Sequence, residues 1–212
     1  RQIAEDMHSL KIDINFAPVV DVNVHPETGS MKDRSFGPDK HLVAEYGSAF
    51  MRGMQDNGVI ACAKHFPGHG DTATDSHHAL PVLDFPMERL DTLELYPFRR
   101  LMDDGVEMVM VGHLQVPALD TLPASVSYNV ITGLLRKKMN YDGIITTDAL
   151  NMKGVLAPFD GSYERAALGA YIAGADILLM PKHINESIDL IVNYIGNDPK
   201  KLEDLDRRVS RI

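Results

Sequence analysis

The chain has one cysteine, Cys62, in 212 residues, so no intramolecular disulfide can staple it and the fold must rest on packing and hydrogen bonding. Cys62 lies inside the apolar run Val59-Ile60-Ala61-Cys62-Ala63, where a thiol reads as a small core residue rather than a nucleophile. Long hydrophobic runs are missing as well. Nothing approaches the ~18 to 20 apolar residues of a membrane-spanning helix. Positive charge is scarce: a formal net charge of −9 argues against general nucleic-acid binding, which calls for a basic patch or stripe. There is no low-complexity tract, and no signal-peptide pattern opens the chain. Arg1 to Met7 reads instead as the middle of a helix, and Leu202 to Ile212 as part of another. Both ends are expected to continue into a longer protein, which leaves the compartment open.

What the sequence does have is an alternation. Short apolar segments at Ile12–Val22, Val59–His65, Glu107–His113, Gly143–Asp148 and Asp176–Met180 carry few outward polar positions, as strands buried on both faces do. Helical patterns separate them at Lys40–Asn57, Met87–Asp104, Asn129–Met139, Ser162–Ala173 and Ile184–Tyr194. Asn57-Gly58, Asp104-Gly105 and Asp142-Gly143 each place a glycine ahead of a strand, suiting a helix C-terminus. The eleven methionines, Met108 and Met110 among them, read as core filler. A regular βα alternation means a parallel sheet, open or closed. Polar residues end successive strands: Asp21, Lys64 and His65, His113, Asp148. A ring of such residues favours a barrel over an open sheet with one switch point. The expected fold is therefore α/β, a TIM-type (β/α) barrel. Five strands cannot close it, and its missing N-terminal βα units are expected before Arg1.

The densest chemistry runs from Lys64 to His78, with four histidines, two carboxylates and a lysine in a glycine-broken loop. Asp75-Ser76-His77 has the spacing that lets a carboxylate fix the tautomer of an imidazole and raise its basicity. Such a histidine can protonate a leaving group and then deprotonate water, although simple loop hydrogen bonding would explain the same triplet. Asp148, closing an apolar strand, must be solvated, paired or functional. An N-cap role suits its position as well as catalysis does. His65 and His69 have a spacing seen in zinc sites and could bind metal with Asp71, His77 or His78, but Pro67-Gly68 excludes the helix that gives that spacing its meaning. Arg34 lies in a loop from which it could donate paired hydrogen bonds to substrate oxygens. Lys64 reads as a binding residue, and His113 as one lining the site.

Lys64-His65-Phe66-Pro67-Gly68-His69-Gly70 followed by Asp75-Ser76-His77 resembles the signature of bacterial β-N-acetylhexosaminidases of glycoside hydrolase family 3, the NagZ type. Asn15 to Val22, Arg34-Ser35-Phe36-Gly37, Pro123-Ala124-Ser125, Thr147 to Met152 and Gly174 to Pro181 look like further family blocks in the family's order, so the likeness covers essentially the whole chain. It implies a single partial catalytic barrel domain over residues 1–212, acting on a carbohydrate. The implied reaction releases terminal β-linked N-acetylglucosamine with retention, from peptidoglycan fragments or chitooligosaccharides. The nucleophile falls on Asp148, the acid/base on His77 with Asp75 as its partner, and sugar-binding roles on Arg34, Lys64 and His65. Asp21, His69 and His113 join these as expected substrate contacts. No cofactor or metal is implied. An aspartate and an arginine that the family takes from an early barrel loop have no counterpart here. Three other readings stay open: phosphorolysis at the same site, which a histidine acid/base would permit because it does not repel an anionic acceptor; a metal-dependent hydrolase on His65, His69 and His77; and a non-catalytic sugar-binding module.

Overall fold

A computed structural model of the chain describes residues 1–25, 31–72 and 80–212, and of Lys32 the backbone alone. Its sheet has four parallel strands in the order β1-β2-β3-β4: β1 is Ile14–Asn15, β2 Ile60–Phe66, β3 Met108–Val111 and β4 Ile144–Thr147. A doubly wound sheet reverses its strand order at a switch point, whereas an order that runs on without reversal is an arc of a (β/α) barrel. Helix α1 (Gln2–Ser9) precedes β1. Helix α2 (Lys40–Gln55) carries the chain from β1 to β2, and the pair α3 (Met87–Thr92) and α4 (Leu95–Asp103) from β2 to β3. A helix of wide, π-type turns over Asn129–Lys138 leads to β4. Three helices follow, α5 (Tyr163–Ala173), α6 (Ile184–Ile195) and α7 (Pro199–Val209). No described helix is long and apolar enough to cross a membrane.

Successive strand residues face opposite sides of a sheet. On the outer side, Ala61, Ala63, Val109, Val111 and Ile145 pack against Val43 and Met51 of α2 and Phe98 and Leu101 of α4 in the main core. Gly47 lets α2 come that close, since a Cβ there would stand 2.8 Å from Val20 Cγ1. On the inner side, Cys62, Met108, Met110 and Ile144 cluster with Ile60, Ile177 and Leu179. The same period of two carries Lys64 upward from Ile60 and Cys62, and Asp148 upward from Ile144 and Thr146. Both side chains therefore belong to the inner column at the C-terminal end of the sheet.

Four expectations need correction. The first strand, expected over Ile12–Val22, pairs as a ladder only at Ile14–Asn15. Pro18 has no N–H to offer, so the chain beyond it follows β2 through separate contacts, such as Val20 N–H to Lys64 O at 2.8 Å. The Met87–Asp104 helix is broken at Leu93-Glu94. A continuous helix would drive the Pro97 ring against the Leu93 carbonyl, while a restart at Leu95 places Pro97 in a first turn, where proline is tolerated. Asp176–Met180 is not a full strand: it meets β4 through one bridge, Thr146 to Ile177, then turns at Met180 with φ 47°. Finally, Gly58 and Gly105 take the positive φ expected after α2 and α4, but Gly143 does not. Asn140 adopts it instead, and Gly143 is needed because a Cβ there would lie 2.3 Å from the Tyr141 hydroxyl.

Candidate active site

The loop after β2 is built against its neighbours by two glycines. Gly70 crosses the chain after β1 so closely that a Cβ would stand 2.1 Å from the Val22 carbonyl oxygen. Gly68, at φ +130°, lies over the stem of Glu94, whose Cβ would be 2.8 Å from an added Cβ. Peptide bonds Lys64–His65 and Phe66–Pro67 are both cis. Gly112, after β3, leaves room for His65: a Cβ there would come within 3.1 Å of the His65 Cβ.

Asp21 organises this corner. Its Oδ1 accepts the backbone N–H groups of His65 at 3.1 Å and His69 at 2.7 Å, and its Oδ2 lies 2.8 Å from His65 Nδ1. The side chain is fully buried. Burial pushes its pKa up, but the attraction of His65 and His69 and their hydrogen bonds outweigh it and leave the carboxyl below its ordinary value. An ionised Asp21 is acceptor-only, so the Nδ1 of His65 carries a proton and its Nε2 is left as the other ring position. The His69 ring meets that of His65 edge-on at 5.9 Å, and its Nδ1 meets Thr72 Oγ1 at 2.5 Å. Burial lowers the His69 pKa, with Asp21 pulling the other way, so His69 is disposed to be neutral.

Asp148 follows β4. Its backbone N–H reaches the Val111 carbonyl at 2.8 Å, and its Oδ1 accepts the Ala149 N–H at 2.8 Å; the side chain is half-buried. Lys64 is half-buried across the same inner column. Cys62 lies beneath both: burial pushes its thiol far up, Lys64 pulls it down and Asp148 pushes it up, which makes it inert as a nucleophile. His113 is wholly buried, its Nδ1 2.6 Å from Ser125 Oγ and its Nε2 2.9 Å from the Ala149 carbonyl. With the carbonyl accepting, Nε2 holds the proton and Nδ1 accepts from Ser125. His113 thus fastens the residue that follows Asp148.

The structure brings Asp21, Lys64, His65, His69, His113 and Asp148 to one end of the sheet. Asp21 and His113, expected as substrate contacts, are both buried, with side-chain polar atoms engaged by protein groups. Arg34 is exposed in a short turn over Lys32–Arg34, with its Nη2 3.6 Å from Met31 Sδ. Asp75 and His77, with Ser76 and His78, lie outside the described residues. Among the described residues no three of His, Cys, Asp and Glu are grouped to hold a metal ion. Thr72, Arg89 and Glu94 contribute to this corner without any sequence signal that marks them, since each sits in an ordinary loop or helical pattern.

The whole chain, residues 1–212, matches the glycosyl hydrolase family 3 N-terminal domain. A beta-hexosaminidase A of Pseudoalteromonas piscicida is 37% identical over 204 residues, covering 89% of this chain and 33% of that protein. A beta-hexosaminidase of Methylobacillus flagellatus is 33% identical over 191 residues, covering 90% of this chain and 54% of that protein. The structure of a family 3 beta-N-acetylglucosaminidase from Paenibacillus sp. superposes with a TM-score of 0.90 at 42% identity, covering 99% of this chain and 40% of that one. The chain belongs to glycosyl hydrolase family 3. Its strands form an arc of that family's TIM-type barrel, and it spans from one third to about one half of the length of these curated relatives.

Proposed function

We propose that the protein carrying this chain is a retaining exo-β-N-acetylglucosaminidase acting on peptidoglycan fragments or chitooligosaccharides. The single observation that carries the reading is the placement of Asp148. It ends the inner column of β4, half-buried, with Oδ1 committed to the Ala149 N–H, which leaves Oδ2 to approach an anomeric carbon. In the first step Asp148 attacks that carbon, the glycosidic bond breaks, and His77, held by Asp75, gives its proton to the departing oxygen. In the second step His77 takes a proton from water, whose oxygen displaces Asp148 and frees the sugar with its original configuration. Lys64, His65 and Arg34 bind sugar hydroxyls. His69, behind His65, supports that wall.

The likeness to beta-hexosaminidases and to a beta-N-acetylglucosaminidase supports the acetamido sugar as substrate. Release of nitrophenol from nitrophenyl β-N-acetylglucosaminide, beside the matching β-glucoside, tests it in the full-length protein. Selective cleavage of the acetamido sugar is expected. Cleavage of the glucoside alone, or of neither by folded protein, would overturn it.

A further inference from the structure

The outer layer of helices holds a recess that the catalytic site does not use. Its volume is about 300 Å³, and it lies between the helix over Asn129–Lys138 and helices α5, α6 and α7. Tyr128, Tyr171 of α5 and Tyr194 of α6 form part of its wall. A cation stands over each ring: Lys137 at 5.5 Å from the centre of Tyr128, Arg208 at 4.3 Å from Tyr171 and Lys201 at 3.7 Å from Tyr194. The chain is acidic, with 30 carboxylate residues to 21 lysines and arginines, yet Lys200, Lys201, Arg207 and Arg208 line this recess against one carboxylate, Asp204. Ion pairing does not use up that excess. Arg208 holds Asp204 through Nε at 2.8 Å and through Nη2, while Arg207 reaches it only at 3.4 Å. Among the described residues no carboxylate pairs with Lys200. The Tyr171 hydroxyl is buried and has no hydrogen-bond partner, a costly state that a ligand oxygen would relieve.

Tyr128 and Tyr194 are 50% and 36% exposed, so each offers a flat apolar face beside a polar edge. A pyranose ring has the matching form, with C–H groups on its faces and hydroxyls around its rim. Tyr128 also follows Ser125, the partner of His113, by three residues, and the chain between them spans at most about 11 Å. This wall of the recess therefore stands on the flank of the catalytic end. We propose that the recess is a second saccharide site, separate from the catalytic one, and that it takes an acidic sugar. The ring packs on Tyr128 and Tyr194, and Lys200 and Arg207 hold its carboxylate or phosphate. The choice of a sugar rests on the proposed function, whereas the preference for an anion rests on the recess alone.

The test is calorimetric titration of the full-length protein, its catalytic site kept saturated with N-acetylglucosamine, by N-acetylmuramic acid, N-acetylglucosamine 6-phosphate and inorganic phosphate. One acidic sugar is expected to bind per chain, more weakly as salt rises. Which of the two sugars binds more tightly distinguishes a carboxylate from a phosphate ligand. The double variant Lys200→Ala, Arg207→Ala should weaken that binding about tenfold or more, the scale of one lost charge-assisted hydrogen bond, while cleavage of the nitrophenyl substrate stays at the wild-type rate. Tyr171→Phe keeps the ring and removes the orphaned hydroxyl, so it should lower affinity without lowering the melting temperature. Inorganic phosphate bound as tightly as either sugar would overturn the saccharide assignment. Binding of neither sugar, or binding unchanged in the double variant, would overturn the site. Sugar binding at the recess by a folded protein that cleaves no acetamido sugar would overturn the proposed function and leave the recess assignment standing.

Discussion

Asp21 and His65, 44 residues apart, are joined twice: the carboxylate lies 2.8 Å from the ring Nδ1 and accepts the backbone N–H of the same histidine at 3.1 Å. The double contact fixes both where His65 stands and which ring nitrogen bears its proton. Asp21→Asn keeps the shape and an oxygen for the backbone N–H groups, but offers an N–H toward Nδ1. The imidazole must then move its proton to Nε2, turning an acceptor into a donor. Outer partners that orient a metal-ligating histidine are worth about 10- to 100-fold, and a loss of similar size is expected for this non-metal pair. The expected change is a fall of that size in kcat/KM, carried mainly by KM because His65 is assigned to binding. Unchanged kinetics would remove Asp21 from the site.

The same pair gives a pH dependence of stability. The Asp21 pKa is lowered in the folded chain from an ordinary value of 3.8. The unfolded state therefore binds the proton more readily, and stability contributed by Asp21 is present above that value and lost as pH falls through the lower folded one. Urea unfolding from neutral pH down to about pH 3 should show a wild-type advantage over Asp21→Asn that is constant above about pH 4 and shrinks below it. An advantage that grows in acid would contradict the assigned direction.

Gly70 and Gly105 are expected to respond differently to alanine. At Gly70 the added methyl would meet backbone atoms of Val22 and Asn23, which cannot rotate away. Overpacking of this kind costs about 1 to 3 kcal/mol and would shift the loop, so Gly70→Ala should lower both stability and activity. At Gly105 there is open space but φ is +87°, so alanine meets only backbone strain of about 1 kcal/mol. Gly105→Ala should lower the melting temperature and leave kcat/KM in place. Thermal melts beside assays of both variants check the contrast.

Much of this was legible in the sequence. The apolar runs Val59–His65 and Gly143–Asp148 end in polar residues, and a buried strand must deliver such residues to its C-terminal edge, so the sequence itself marks Lys64, His65 and Asp148 as strand-end residues. The alternation of five strands and helices gave the barrel type. Less legible was anything set by a partner distant in the chain. Asp21 and His113 look like mouth residues by position, yet their roles depend on the histidines and hydroxyl that meet them 12 to 48 residues away. Pro18 and Pro97 were visible, and their missing N–H groups account for the short first strand and the split helix. Arg89 and Glu94 were hidden because a charged residue in an amphipathic helix reads as solvated until the fold closes over it.

The claim on which the site depends is that Asp148 forms the covalent bond to the sugar. A fluorinated N-acetylglucosaminide that loads the enzyme quickly and unloads slowly, followed by mass mapping of peptides, tests it directly. The expected result is one added sugar mass on the peptide containing Asp148, and none after Asp148→Ala. A label on another residue of an active enzyme, or turnover by Asp148→Ala at the wild-type rate, would contradict it.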